Sequence, residues 1–195
     1  VASSFGCLSS KAGDLHRSLL PQQAISPAFQ SIVRDVCALP DGTACDASFV
    51  EQFGREVEAN PSIKVLSLGL AMAHFIYGNV SARIVMIVQP DELNTVDQQT
   101  LAQELWTTHG VRVEYLTLAH IAAHGRLTDQ GQLRVSPASG PLEPDIEVSV
   151  AYFRAGYTPE DYPTDVEWRA RALIEASSAV KCPTVGCQLA GTKRI

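Results

Sequence analysis

Two short stretches carry residue types that binding chemistry needs. "QPDELNTVDQ" (89–98) offers Glu92, Asn94 and Gln98, and "RAGY" (154–157) offers Arg154 and Tyr157. A carboxylate, two amides, a guanidinium and a phenol suit a zwitterionic ligand, because together they can meet an ammonium and carboxylates. Arg154 needs the most explanation. It follows the apolar run "DIEVSVAYF" (145–153), so it lies too near the core for ordinary surface charge and is too costly to bury unpaired. The site reading places it at the mouth of a cleft, partly solvated, facing a ligand carboxylate. Plainer roles stand beside that one. Gln98 can close a capping box begun by Thr95, Asn94 can favour a turn, and Arg154 can pair with a nearby carboxylate for structural reasons alone. Asp91, Glu92 and Asp97 make the helix start here a poor phosphate cradle in spite of its dipole.

These residues need elements to hold them. "RIVMIVQP" (83–90) is a β-branched run of the kind buried on both faces of a sheet. A helix follows over 95–110, with Gly110 placed to end it. "VRVEYLT" (111–117) is the next strand and "LAHIAAHG" (118–125) a short helix. "DQGQLRV" (129–135) reads as a hairpin turn into an edge strand, and 145–153 as a third long strand. Thr164 and Glu167 open a further capped helix, whose stripe runs through Val166, Ala170, Leu173, Ser177 and Val180. The order β-α-β-α-β implies an α/β fold, a mainly parallel sheet flanked by helices, with ligands beyond the carboxyl ends of the strands. The earlier part differs: 14–20, 26–39, 47–60 and 64–78 all read as helices, and 39–46 as a loop.

Composition sets limits on partners. The chain has 195 residues, 46% of them hydrophobic, and a formal net charge of −6. That is enough to bury a core, and it supplies no basic field for nucleic acid or an anionic membrane. No run approaches the roughly 20 apolar residues that span a bilayer. Five irregularly spaced cysteines fit free thiols in a reducing, cytoplasmic setting better than a disulfide framework. Cys182 and Cys187 lack a second pair to complete a zinc site. His120 and His124 have an i, i+4 metal-ligand spacing but no accompanying glutamate, so they read as solvent-facing, and "NVS" (79–81) reads as a chance glycosylation match.

Set side by side, "VASSFGCLSS…DLHR" (1–17), "LGLAMAHFIYG" (68–78), "VQPDELNTVDQ" (88–98), "VAYFRAGY" (150–157) and "KCPTVGCQLAGTK" (181–193) resemble the eukaryotic-type glutathione synthetases. They run in family order and cover most of the chain outside about 21–60, which reads as an insertion. The resemblance implies an ATP-dependent ligase that joins γ-glutamylcysteine and glycine through an acyl phosphate. It implies an ATP-grasp-associated substrate-binding domain and a homodimer as the full-length protein. It assigns substrate binding to Val1, Ala2, Ser3, Ser4, Glu92, Leu93, Asn94, Gln98, Arg154, Ala155, Gly156 and Tyr157. Lys193 is assigned to ATP, with the Mg2+ ligands largely outside this chain.

The implied organisation is a mostly helical segment over 1–81, an α/β substrate-binding domain over 82–190, and the start of the ATP-grasp part at 191–195. The chain reads as a piece of a longer protein that is inactive alone. Two positions depart from the family pattern. Ala2 stands where serine is common, which leaves the acceptor open to a homoglutathione-type alternative, and Ala155 replaces the aspartate of the usual "RDGY". A binding module without catalysis, or a structural α/β domain, are the readings from other classes.

Overall fold

The computed structural model describes residues 61–138 and 144–191. The expected loop Val1–Ser4, the helices at 14–20, 26–39 and 47–60, the loop 39–46, the insertion near 21–60, and Lys193 lie outside the described residues. From Leu66 onward the chain forms one compact unit. In chain order the elements are α1 (Ser62–Tyr77), β1 (Arg83–Ile87), α2 (Thr95–His109), β2 (Val113–Leu116), α3 (Leu118–His124), β3 (Gly125–Leu127), β4 (Leu133–Val135), β5 (Ile146–Phe153), a 3-10 turn (Pro159–Asp161), α4 (Asp165–Ala176), β6 (Val180–Cys182) and α5 (Val185–Ala190).

The sheet runs β2-β1-β5-β4-β3, with β6 also pairing β5. β1 is parallel to both β2 and β5, β6 is parallel to β5, and β4 is antiparallel to β5 and β3. β1, β2 and β5 fall where the sequence predicts strands; β5 and most of β1 are buried, because a strand covered on both faces has no polar side to show, whereas the four residues of β2 are mostly half-buried. All eight residues of β5 are buried. Val85, Ile87, Leu116, Ala151 and Phe153 share one core with Leu118, Ile121, Ala170 and Ile174 of α3 and α4. The alternate residues face the other way, where Tyr115 reaches the Gln98 carbonyl of α2 at 3.4 Å. The helices thus lie on both faces.

β5 breaks its alternation once. Arg83 pairs with Val148 but Ile84 with Val150, which leaves Ser149 as the extra residue of a bulge. Val148 and Ala151 therefore join the same core although they are three apart. The bulge also turns Ser149 toward α1, where its hydroxyl donates to the Arg83 carbonyl at 3.0 Å and lies 2.8 Å from His74 Nδ1. With the hydroxyl proton committed to Arg83, His74 Nδ1 carries the proton of that second bond.

His74 is 2% exposed, and burial lowers its pKa below the ordinary value of 6.5. The unfolded chain takes up that proton first, so this contribution to stability is complete above pH 6.5 and is lost as pH falls below it toward the lower folded value. Urea midpoints measured from pH 7.5 to 5.5 are expected to fall more steeply for the wild type than for His74→Gln. Parallel curves would show that His74 does not contribute.

Three expectations are corrected. "DQGQLRV" does make a hairpin turn, with Gly131 at φ 77 and its N–H on the Thr128 carbonyl, but β4 lies between β3 and β5. The edge strand is β3, three residues hidden in sequence behind a helix. The stripe through Ser177 and Val180 leaves the helix, since Ser177 caps α4 and Val180 begins β6. The Thr164–Glu167 box is present, whereas α2 begins after Asn94 with no box. Thr95 is the first helical residue, and this places Gln98 in the interior at 4% exposure.

Candidate functional site

β1 and β5 are neighbours whose onward connections leave to opposite faces: α2 lies on one, and the chain after β5 leads to α4 on the other. A crevice opens at such a switch point, beyond the carboxyl ends of the strands. Here it is a cleft of about 380 Å3, walled by Val88–Asp91, Thr117–Ala119 and residues between Ala155 and Glu167. Two bonds close the strand ends beneath it: Arg154 N–H and Ala155 N–H both reach the Ile87 carbonyl, at 2.8 and 3.0 Å. Gln89 Nε2 spans from one loop to the other and donates to Asp161 Oδ1 at 3.1 Å. Burial opposes the charge of Asp161, but the N–H groups of Thr158 and Tyr157 and the Gln89 amide outweigh it, so its pKa lies below the usual carboxylate value.

Arg154 turns to the α2 side of this rim. Its side chain is 5% exposed, and Nη2 donates to Asp97 Oδ2 at 2.6 Å, with Asp97 itself at 1%. The expected partly solvated guanidinium is therefore not what the structure contains. Burial opposes its charge, yet the Tyr152 phenol and the Asp97 carboxylate offset that and raise its pKa further. Sequence reasoning had noted Asp97 only as an acidic residue at a helix start. The partner was hidden because 57 residues separate the two.

The first turn of α2 holds two buried polar atoms with no partner, Asp97 Oδ1 and Gln98 Nε2. Such atoms are few in native proteins and call for an explanation. Glu92 and Asn94 share the turn ahead of the helix, where Asn94 N–H donates to Glu92 Oε1 at 2.8 Å. The Asn94 side chain does not cap α2, and Leu93 is 96% exposed. Ala155 is buried and is the one residue among those expected on this rim that lines the cleft.

Gly156 has φ +89, and a Cβ there would meet Tyr162 Oη at 2.7 Å, so only glycine suits this turn. Tyr157 keeps 43% of its surface exposed but turns its hydroxyl inward to the Phe153 carbonyl. Burial, then the proximity of Tyr152, pushes its pKa up to about 12, against the opposing pull of Arg154, so it is a neutral donor at pH 7.

Residues 82–190 match the family described as eukaryotic glutathione synthase, a span that holds every strand among the described residues and the whole rim just described. The chain belongs to the eukaryotic glutathione synthase family. It is 36% identical over 195 residues to the chloroplastic glutathione synthetase of Solanum lycopersicum, covering all of this chain and 30% of that protein. It is 32% identical to the glutathione synthetase of Xenopus laevis, over all of this chain and 34% of that one. With the Dictyostelium discoideum enzyme it shares 39% identity, over 70% of this chain and 28% of its relative. The chain thus spans about a third of the length of the curated relatives it matches.

Other sequence signals take structural roles. His120 Nε2 lies 2.8 Å from the Ser136 carbonyl, and its ring is tilted against His124 with centroids 4.6 Å apart. This corrects the solvent-facing reading for His120, which is half-buried. No group of three or more His, Cys, Asp or Glu among the described residues has a geometry for a metal ion. Cys182 and Cys187 are free thiols. Cys187 is exposed, and burial pushes the Cys182 thiol up. Brief alkylation at pH 8 followed by peptide mapping is expected to modify Cys187 well before Cys182, since the thiolate is the reactive form. Equal labelling of the two would contradict this.

Proposed function

We propose that this chain is the substrate-binding portion of a glutathione synthetase, the ATP-dependent ligase that joins γ-glutamylcysteine and glycine through an acyl phosphate. Family membership supplies the reaction class. The observation that carries the site is the pair of unpartnered buried atoms, Asp97 Oδ1 and Gln98 Nε2, beside the Arg154 guanidinium. On this reading Gln98 and Arg154 hold the γ-glutamyl end, and Glu92, Leu93, Asn94, Ala155, Gly156 and Tyr157 are the further substrate-binding residues that the family resemblance assigns. The family resemblance assigns Val1, Ala2, Ser3 and Ser4 to the substrate as well, and Lys193 to ATP.

ATP and Mg2+ belong to the full reaction, where they supply an activated carboxyl group. On this reading the described residues bind and orient the amino-acid substrate, and the Mg2+ ligands lie largely outside this chain. The ATP-grasp association, the domain divisions at 81 and 190, and the homodimer are parts of the same proposal. So is the cytoplasmic placement, alongside which the tomato and Arabidopsis relatives are named chloroplastic. No described helix is long and apolar enough to cross a membrane.

Calorimetric titration of the 195-residue chain with γ-glutamylcysteine is expected to show saturable 1:1 binding. Gln98→Leu should weaken it by about tenfold or more, the effect of losing a hydrogen bond to a charged group. The chain alone is expected to release no ADP in an assay containing ATP, magnesium, γ-glutamylcysteine and glycine. Absence of binding, or equal affinity for cysteinylglycine, would remove the reading.

A further inference from the structure

Two thiols flank the start of α5. Cys182 ends β6 and pairs with Tyr152 of β5, so the sheet holds it in place. Cys187 stands in the first turn of α5, exposed, with its N–H on Thr184 Oγ1 at 3.2 Å. Four residues, "PTVG", separate the two, and both thiols are free. They also feel each other: after burial, the charge of a Cys187 thiolate is what pushes the Cys182 thiol up. A charge felt in that way places the two sulfurs close together. A disulfide needs the Cα atoms within about 7 Å, and α5 can supply the final approach. None of its residues is buried, so a shift of its first turn uncovers no core. Its ties are polar: the Thr184 cap, and Gln188 bonded to Arg171 at 2.8 Å and to the Gly156 carbonyl at 3.4 Å.

We propose that Cys182 and Cys187 form a dithiol exchange site for low-molecular-weight disulfides, with Cys187 as the attacking thiol and Cys182 as the resolving one. Exposure assigns the first role and the raised Cys182 thiol the second, since the thiolate is the nucleophile. The Cys187 thiolate attacks one sulfur of the small disulfide, whose S–S bond breaks, and one thiolate leaves with the electron pair. The Cys182 thiol gives its proton to solvent and attacks Cys187 Sγ, and the second thiolate leaves. Two electrons pass from the protein to the small disulfide, which departs as two thiols after taking up two protons. The site is independent of the substrate reading above.

The test incubates the native 195-residue chain with excess glutathione disulfide at pH 8, quenches with acid and N-ethylmaleimide, and maps tryptic peptides. Cleavage after Lys181 and Lys193 puts both cysteines on one peptide. That peptide is expected to lose two hydrogens, to take no maleimide, and to return to the doubly labelled form after dithiothreitol. Cys182→Ser should stop at a glutathionyl group on Cys187. In Cys187→Ser, reaction at Cys182 should be at least about tenfold slower than wild-type oxidation. A wild-type peptide that stays reduced or keeps the glutathionyl group overturns the proposal. So does pairing of either cysteine with Cys7, Cys37 or Cys45, an internal bridge that forms only in urea, or a Cys187→Ser chain that reacts as fast as wild type.

Discussion

Arg154→Met is expected to lower the unfolding free energy of the chain by about 3–5 kcal/mol, because it leaves the Asp97 carboxylate buried beside no cation. The side chains involved are 5% and 1% exposed, so water cannot take over the lost partner. Asp97→Leu should cost a similar amount for the opposite reason, since a guanidinium cannot shed its charge. The double variant Asp97→Leu/Arg154→Met should then lose markedly less than the sum of the two. With both charges gone, the desolvation penalty goes too, and apolar replacements of similar volume are often nearly neutral. Urea melts of the four proteins give this cycle directly. A double variant whose loss equals the sum within about 0.5 kcal/mol would mean the two residues do not act as a pair.

This outcome matters for the interpretation of any change at Arg154. A solvated cleft arginine can be replaced with little effect on folding, but this one also ties the end of β5 to the first turn of α2. Loss of ligand binding on changing Arg154 therefore combines two effects.

Much of the scaffold was legible because burial on both faces writes itself into sequence as unbroken apolar runs. β1 and β5 have such runs, and both are where they were expected. The Thr164–Glu167 box was legible because the spacing of a hydroxyl and a carboxylate suffices to define it. Thr95 and Gln98 have the same spacing and misled. Whether Thr95 caps the helix or begins it is a shift of one residue, and one residue turns a side chain by about 100° around the helix. That rotation moves Gln98 from a surface cap to a buried donor with no acceptor.

β3 and β6 have three residues each, too few to show a period of two against their surroundings. The candidate site was half legible. Its residue types pointed to a zwitterion, but the partner of Arg154 depends on the register of distant elements, which no local pattern encodes.

Phe153→Ala is expected to cost about 3–5 kcal/mol, a large share of the roughly 5–15 kcal/mol that holds a domain together. The ring is completely buried in the core shared by β1, β5, α3 and α4. Removing it forfeits the transfer free energy of the aromatic group and leaves a cavity that a central strand, paired on both edges, cannot collapse to fill. The ring also supports the rim. Arg171 of α4 rests over it with Cζ 4.1 Å from the ring centre, and from there reaches Glu175 at 2.9 Å and Gln188 of α5 at 2.8 Å. Gln188 Nε2 and Tyr162 Oη in turn donate to the Gly156 carbonyl, at 3.4 and 3.3 Å. Without the ring, Arg171 loses its platform and the Gly156 turn loses the clamp behind it. Ligand affinity should therefore drop in Phe153→Ala even at temperatures where the variant is folded. Arg171→Met should reproduce much of that drop with a smaller loss of stability, since a cation over a ring contributes only about 0.5–2 kcal/mol. Chemical denaturation and titration with γ-glutamylcysteine on both variants separate the two contributions. A loss below about 1 kcal/mol in Phe153→Ala would show that the core closes around the missing ring. Unchanged affinity in Arg171→Met would show that the rim does not depend on the clamp.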